Sequence, residues 1–402
     1  MSFARTAPLR DEIERQLPSR PFEVEFWDGA RLPSTDGPGP RFIVRSPRAV
    51  AHALRAPGQL GLGRAYVSGE LELDDLDGVI ALLYSWDAPA LDRSAQARLA
   101  LAALRACGLT RPPAAPASEL RPRGDRHTSE RDARAVRHHY DLSNDFFALF
   151  LDESMTYSCG LFSRGARTLE DAQEAKLELV CSKLGLATGQ RVLDVGCGWG
   201  SFPVHAAARH GVEVVGITLS EPQAELARRR AEAAGVGDRV DIRVLDYREL
   251  EGERFDAIAS IGMVEHVGGE RIDGYAKRLA SLLEPGGMLL NHGIARLRHG
   301  DPPAGPFSER YVFPDADPLH LSRVLLALER AGFATNLVEG FAHDYIETLR
   351  RWAGRLDDRL DEALALAGPE RVRVWRLYLR AARMGFESGF TSIYQVSCRL
   401  AG

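Results

Sequence analysis

The segment Arg191-Val192-Leu193-Asp194-Val195-Gly196-Cys197-Gly198-Trp199-Gly200 ends a short apolar run in an acid and then in glycines at alternate positions. Glycine lets the backbone turn sharply and lets a ligand lie against main-chain atoms with no Cβ between them. An ordinary strand–helix turn and a pyrophosphate-binding G-x-G-x-x-G loop both compete for such a stretch. The spacing here is G-x-G-x-G, and Asp194 stands two residues before the first glycine. A dinucleotide loop has no need of that acid. A cofactor carrying an ammonium group does, because the carboxylate accepts its hydrogen bonds directly or through water. The residues point to S-adenosylmethionine (SAM), with Asp194, Gly196, Gly198 and Gly200 as its contacts.

An ordinary dinucleotide domain ends its second strand with an acid for the ribose hydroxyls. This chain reads Val214-Val215-Gly216-Ile217-Thr218-Leu219-Ser220 there, with Glu213 too early in the strand to serve. Thr218, Ser220 and Gln223 offer neutral hydrogen bonds to a ribose instead. Asp246-Tyr247 follows the third strand, where an acid can accept from an adenine amino group or cap a loop. Both roles stay open for Asp246.

These residues need a sheet to hold them. Strands are expected at residues 192–195, 212–217, 240–245, 255–260 and 288–292, the last after the turn Pro285-Gly286-Gly287. Helices are expected up to His210 and over 222–234, and another over about 169–184. Strand–helix alternation at this spacing predicts an α/β fold, a doubly wound parallel sheet with helices on both faces. The tail alternates helices with a short apolar run near 394–398. Residues 1–110 read as a smaller α+β domain, with strands at 22–26 and 41–44 and helix patterns near 50–54, 76–86 and 93–107. Residues 63–71 are punctuated by glycine, which suits tight packing or a turn. Residues 111–124 are rich in Pro and Ala and read as a linker, leaving 125–402 as the catalytic domain.

The chain has 402 residues, 45% hydrophobic and 27% charged, ordinary for a globular protein of two domains. A net charge of −5 gives no reason to expect a nucleic-acid partner. Cys107, Cys159, Cys181, Cys197 and Cys398 form no C-x-x-C pair, so neither a zinc site nor a disulfide framework is suggested, and a reduced, cytoplasmic setting fits. His138 and His139 are neighbours, which point apart on a helix and suit a surface or cap better than a metal. No apolar run approaches the roughly 20 residues that span a bilayer. A membrane would be met from one side, as a peripheral contact at the inner face. Arg373, Arg376, Arg380 and Arg383 share one helical face, opposite Val372, Trp375, Leu379 and Ala382. Those arginines suit phosphate headgroups or a solvated face.

The segments HHYDLSNDFF, MTYSCGLF, RVLDVGCGWGS, GITLSEPQ, DYREL, SIGMVEHVG, NHGIA and ERYVFPDA occur in that order. Together they resemble the cyclopropane-fatty-acyl-phospholipid synthase family, a branch of the SAM-dependent methyltransferases, over about residues 136–398. The resemblance implies a class I Rossmann-like methyltransferase. It implies SAM bound by Tyr157, Ser158, Gly196, Gly198, Thr218, Gln223 and Asp246. It further implies a bicarbonate ion held by Cys159, Glu265, His292, Ile294 and Tyr345, all of which are present. Two departures stand out: Ala382 replaces a cysteine of some members, and residues 296–306 are rich in Gly and Pro.

The implied chemistry is methyl transfer from SAM to the cis double bond of an unsaturated phospholipid acyl chain. The alkene is a weak nucleophile and must be held against the methyl in a dry pocket. Transfer leaves a carbocation, and ring closure needs a base. A protein carboxylate would be trapped by the cation, whereas a small bound anion is an alternative. Loss of a different proton would give a methylene-branched chain. A small-amine methyltransferase, a lipid-binding protein retaining the SAM fold, and a NAD oxidoreductase are the other readings. The N-terminal domain is a candidate for lipid docking or homodimer contacts.

Overall fold

A computed structural model describes residues 6–108, 113–120, 131, 143–300 and 305–402. The histidine pair 138–139 and residues 111–112 and 121–124 of the expected linker lie outside them. The chain forms two compact units that are not contiguous in sequence. The first comprises Met1–Arg121, Gly305–Val312 and Ala367–Met384; the second comprises the rest. Two segments that the sequence reading left in the catalytic domain therefore belong to the first unit.

The first unit holds a small sheet of β1 (Glu23–Glu25), β2 (Arg31–Leu32), β3 (Arg41–Val44) and β4 (Leu71–Leu73), ordered β2-β1-β3-β4. Helices α1 (Ala7–Gln16), α2 (Pro47–Arg55), α3 (Gln59–Val67), α4 (Leu76–Ser85) and α5 (Arg93–Cys107) belong to the same unit. Ser46, Asp75 and Asp92 cap α2, α4 and α5 through their side chains. The glycine-punctuated stretch is helical rather than a turn: α3 runs through Gly61 and Gly63, and a Cβ at Gly63 would stand 2.4 Å from the Phe307 ring. Packing, not turning, is what that glycine serves.

The second unit is built on seven strands. They are β5 (Arg191–Val195), β6 (Glu213–Thr218), β7 (Val240–Val244), β8 (Phe255–Ile261), β9 (Leu283–Arg296), β10 (Phe333–Gly340) and β11 (Thr391–Leu400), in the order β10-β11-β9-β8-β5-β6-β7. The five from β9 to β7 are parallel; β11 runs antiparallel to β9 and to β10. Successive residues of a strand face opposite sides. Val192 and Val214 accordingly enter a core with α7 (Leu169–Leu184), α8 (Ser201–His210) and α9 (Glu221–Ala233). Leu193, Val195, Val215 and Ile217 enter the opposite one, with α10 (Ile272–Ser281) and α12 (Leu321–Arg330). The remaining helices are α6 (Asn144–Ala148), α11 (Pro306–Tyr311), α13 (Ala342–Asp358) and α14 (Leu360–Glu387), the last broken at Gly368.

Two expectations need correcting. The fifth strand is not 288–292 but the fourteen residues of β9, because β8 pairs it from Leu283, before the turn at Gly286 (φ +79°), and β11 pairs it from Met288 to Arg296. The short apolar run at 394–398 is the middle of β11, inserted between β9 and a strand, β10, that the residue pattern did not suggest.

Candidate active site

β5 delivers Asp194 to the C-terminal edge of the sheet, between Gly216 of β6 and Ala259 of β8. The N–H groups of Gly196 and Cys197 then donate to the Ile217 carbonyl at 3.0 and 2.9 Å. Gly196, Gly198 and Gly200 take φ of +83°, +54° and +80°, a region L side chains avoid. A Cβ at Gly200 would stand 2.8 Å from that of Ala227, whereas one at Gly198 would meet nothing within 4 Å. The loop is thus packed at its end and open in its middle, a cradle of main-chain atoms. Trp199 Nε1 donates to Asn144 Oδ1 at 2.8 Å and ties the loop to α6. At the end of β6, Thr218 Oγ1 donates to Gln223 Oε1 at 2.8 Å and accepts from the Ser220 N–H at 3.2 Å. The neutral polar set is gathered as one buried group.

Burial pushes the Asp194 carboxyl up to about 7, against the opposing pull of the Lys176 ammonium. Lys176, only 2% exposed, donates from Nζ to Ser158 Oγ at 3.0 Å. Burial lowers its ammonium to about 8, and Asp152, Cys159 and Asp194 pull the other way. Sequence reasoning missed this lysine. Its signal was a cation inside the apolar stripe Ala172, Lys176, Val180, Leu184 of a helix otherwise well forecast.

The second cluster forms around β9. His292 and Ile294 flank Gly293, where a Cβ would meet Val264 Cγ1 at 2.1 Å and Glu265 Oε2 at 3.0 Å. Glycine there lets the single 3₁₀ turn Val264–His266 press the Glu265 carboxylate against the strand. Burial pushes the Glu265 carboxyl up to about 7, while main-chain N–H groups of Glu265 and Ile294 favour its ionised form. Glu265 Oε2 has no hydrogen-bond partner among the described residues, and neither has His292 Nε2.

The protonation of His292 follows from its neighbours. Lys183 Nζ, which can only donate, bonds Gln395 Oε1 at 2.7 Å. That turns the amide nitrogen of Gln395 toward His292 Nδ1, 3.4 Å away. Nδ1 therefore accepts, and Nε2 carries the proton. Burial, then the charges of Lys176 and Lys183, lower the imidazole to about 3, so the ring is neutral. An unpartnered donor, His292 Nε2–H, and an unpartnered acceptor, Glu265 Oε2, are both sealed from water. Buried polar groups without partners are rare and call for a ligand that satisfies them. A small anion with one acidic hydrogen fits that pair.

Cys159 and Tyr345 join through Phe341. Cys159 Sγ lies 3.7 Å from the Phe341 carbonyl, the Phe341 ring lies 6.2 Å from that of His292, and the Tyr345 N–H donates to the same carbonyl at 3.0 Å. Burial, reinforced by Asp344, keeps the Cys159 thiol well above its ordinary range, so it is protonated and no nucleophile. Helix α13 fixes the preceding loop: Gly160 donates to Thr348 Oγ1, and the N–H groups of Phe162 and Ser163 donate to Asp344 Oδ1 at 2.6 and 2.7 Å. The rings of Tyr157, Trp352, Tyr345 and Phe386 follow one another at 5.3, 6.0 and 4.9 Å between centroids, a continuous aromatic surface.

Other expected residues are differently employed. The main-chain N–H and Nε of Arg248 both donate to Asp246 Oδ1 at 2.9 Å, which supports the capping role of that acid. The Tyr247 ring packs edge-on against Tyr275 in the core. The arginine face is turned inward within the first unit. Arg380 and Arg383 bond Asp77 at 3.0 and 2.8 Å, and Arg373 bonds the Tyr66 carbonyl at 3.2 Å. These three are structural rather than free for headgroups.

The chain is similar to known proteins over most of its length. The model of the mycolic acid cyclopropane synthetase family matches residues 127–396. A probable fatty acid methyltransferase of Mycobacterium tuberculosis is 40% identical over 396 residues, covering 96% of this chain and 92% of its own. The cyclopropane-fatty-acyl-phospholipid synthase of Escherichia coli K12 is 33% identical over 340 residues, 84% of this chain and 82% of its own. The crystal structure of mycolic acid cyclopropane synthase CmaA1 complexed with SAH and CTAB superposes with a TM-score of 0.63 at 32% identity, over 66% of this chain and 98% of that one. The chain belongs to the mycolic acid cyclopropane synthetase family, with the class I fold of SAM-dependent methyltransferases that modify lipid acyl chains.

Proposed function

We propose that the protein transfers the methyl carbon of SAM to the cis double bond of an unsaturated phospholipid acyl chain and closes a cyclopropane ring, with bicarbonate bound as the base. The observation that carries this reading is the sealed pair of unsatisfied groups, His292 Nε2–H and Glu265 Oε2. An enzyme that only methylates an amine has no use for them.

SAM supplies an electrophilic methyl group, and bicarbonate supplies a base that the protein itself does not contribute. Asp194 accepts from the SAM ammonium, the open main chain at Gly196 and Gly198 lies against the cofactor, and Thr218, Ser220 and Gln223 serve its ribose. Tyr157 and Ser158 close the other side, with Lys176 holding the Ser158 hydroxyl in place. Glu265, its carboxylate held by the Ile294 N–H, would accept from the anion's hydroxyl, and His292 Nε2–H, the Tyr345 hydroxyl and the Cys159 N–H would donate to its oxygens. The aromatic surface from Tyr157 to Phe386 excludes water and lies along an acyl chain. Such a substrate is met at a membrane surface, for which the exposed Leu83, Tyr84, Leu101 and Leu104 of the first unit are candidates. No described helix is long and apolar enough to cross a membrane.

The test is incubation of purified protein with SAM and mixed unsaturated phospholipid vesicles, followed by mass spectrometry and NMR of the lipid. Cyclopropane ring protons are expected. Glu265→Gln, His292→Gln and Tyr345→Phe should each lower turnover far more than SAM affinity. Wild-type turnover in all three variants would refute the assignment.

A second reading keeps the first half of the reaction and ends in a methylene-branched chain. It is favoured by the name of the relative that covers 96% of this chain, a probable fatty acid methyltransferase. Ring and exocyclic methylene are isomers of equal mass, so NMR of the product is the discriminating measurement.

A further inference from the structure

A second group of ligating side chains lies in the second unit, away from the active-site residues. Glu178 and Cys181 stand one turn apart on α7, and His205 and His210 stand on α8. Two and five residues beyond Lys176, Glu178 and Cys181 fall on the side of α7 opposite the lysine. His205 Nε2 and His210 Nε2 each lie 3.2 Å from the same oxygen, Glu178 Oε2. One ligand atom from each of Cys181, His205 and His210 lies within 4.8 Å of the other two. The helices beneath are fixed by the buried Leu177, Val180, Phe202 and Ala206, and Arg209 bonds Glu174 at the rim at 2.8 Å.

We propose that Glu178, Cys181, His205 and His210 bind one zinc ion that cross-links α7 to α8. Imidazole nitrogen, thiolate and carboxylate are the ligands zinc takes, and four protein ligands make the closed tetrahedral set of a structural site. Zinc bonds of about 2.0–2.3 Å set tetrahedral ligand atoms roughly 3.3–3.7 Å apart. The two nitrogen–oxygen separations of 3.2 Å are already near that spacing. The sulfur, within 4.8 Å of an imidazole nitrogen of each histidine, closes the remaining gap by a movement of up to about 1.3 Å. Charge balances: one thiolate and one carboxylate neutralise the dication, and both imidazoles bind neutral through Nε2 with the proton on Nδ1. The only proton released is that of the Cys181 thiol, which passes to solvent. The histidine half, H-x-x-x-x-H, has a spacing common in zinc sites, and its partner here is E-x-x-C on a separate helix in place of a cysteine pair. Helix α8 starts at the end of the glycine loop, so the ion would anchor the element on which that loop ends.

Untagged full-length protein, stripped with a chelator and desalted, is titrated with Co²⁺ and then Zn²⁺. The expected result is one equivalent of Co²⁺ with a near-ultraviolet thiolate-to-cobalt band and the visible bands of a tetrahedral ion, displaced by Zn²⁺. Zinc should also raise Tm. Cys181→Ser should abolish the near-ultraviolet band, and His210→Gln and Glu178→Gln should weaken zinc binding at least tenfold. Far-UV circular dichroism and SAM titration of each variant check that it is folded. Absence of the thiolate band, its persistence in Cys181→Ser, or weak multi-equivalent binding that no variant alters would overturn the proposal.

Discussion

Asp194 and Lys176 form one electrostatic unit at the site proposed for the cofactor's ammonium. Asp194 makes its strong, charge-assisted hydrogen bond to an ammonium only when ionised, and its carboxyl sits at about 7. SAM affinity should therefore rise between pH 6 and about 7.5, before an α-amino group itself begins to deprotonate near 8. Lys176 holds that carboxyl down, so Lys176→Met should move the midpoint to higher pH. Calorimetric titration of SAM across pH reads the shift, and an unmoved midpoint would break the link between the two residues. Glu265 carries a stability signature of its own. The folded protein keeps its proton up to about pH 7, whereas the unfolded chain releases it near its ordinary value of 4.5. Its contribution is complete below about 4.5 and is lost as pH rises through about 7, a change of about 3 kcal/mol. Glu265→Gln lacks that loss, so wild type should lose more stability than the variant from pH 4.5 to 8, as followed by urea unfolding. Gln395→Leu should release the His292 tautomer and cut turnover about tenfold or more with SAM affinity intact.

Single elements carry several duties here. Helix α7 turns Lys176 and Lys183 toward the active site, with Glu178 and Cys181 on another side. The capping box of Thr168 and Asp171 and the left-handed Gly185 fix where it starts and stops. Strand β9 carries His292 and Ile294 to their station, and Gly293 between them is what lets Glu265 approach. Gly293→Ala places a methyl 2.1 Å from Val264 Cγ1. The 3₁₀ turn would have to move, at a cost of about 1–3 kcal/mol. Turnover should fall much further than stability suggests, since Glu265 is displaced with it. A variant with wild-type turnover and Tm would show that the turn is not seated on that glycine.

At the scale of the molecule, the first unit is completed by chain that returns to it late, residues 305–312 and 367–384. Arg380 is 7% exposed and shares Asp77 with Arg383. Asp77 is half exposed, which screens the pair, so Asp77→Asn should cost about 1–2 kcal/mol rather than the larger figure of a fully buried pair. Thermal unfolding reads it; an unchanged Tm would show the late segment to be held by apolar packing alone.

Local patterns in the chain determined a great deal. The acid and alternate glycines after β5, the run Thr218 to Gln223, the capped helix over 169–184 and the parallel strands from β5 to β9 all follow from periodicity, turn chemistry and capping, which act within a few residues. The members of the proposed bicarbonate set could be named only by resemblance, because Cys159, Glu265, His292 and Tyr345 are ordinary residues until a fold gathers them. Tertiary structure alone decided that β11 lies between β9 and β10, that Gln395 on it faces His292, and that Lys176 is sealed beside Asp194. It also turned the arginine face of residues 373–383 onto Asp77. Those outcomes depend on which distant segment fills the space beside each group, and burial and partner choice at long range are set by the whole packing, not by the neighbouring letters.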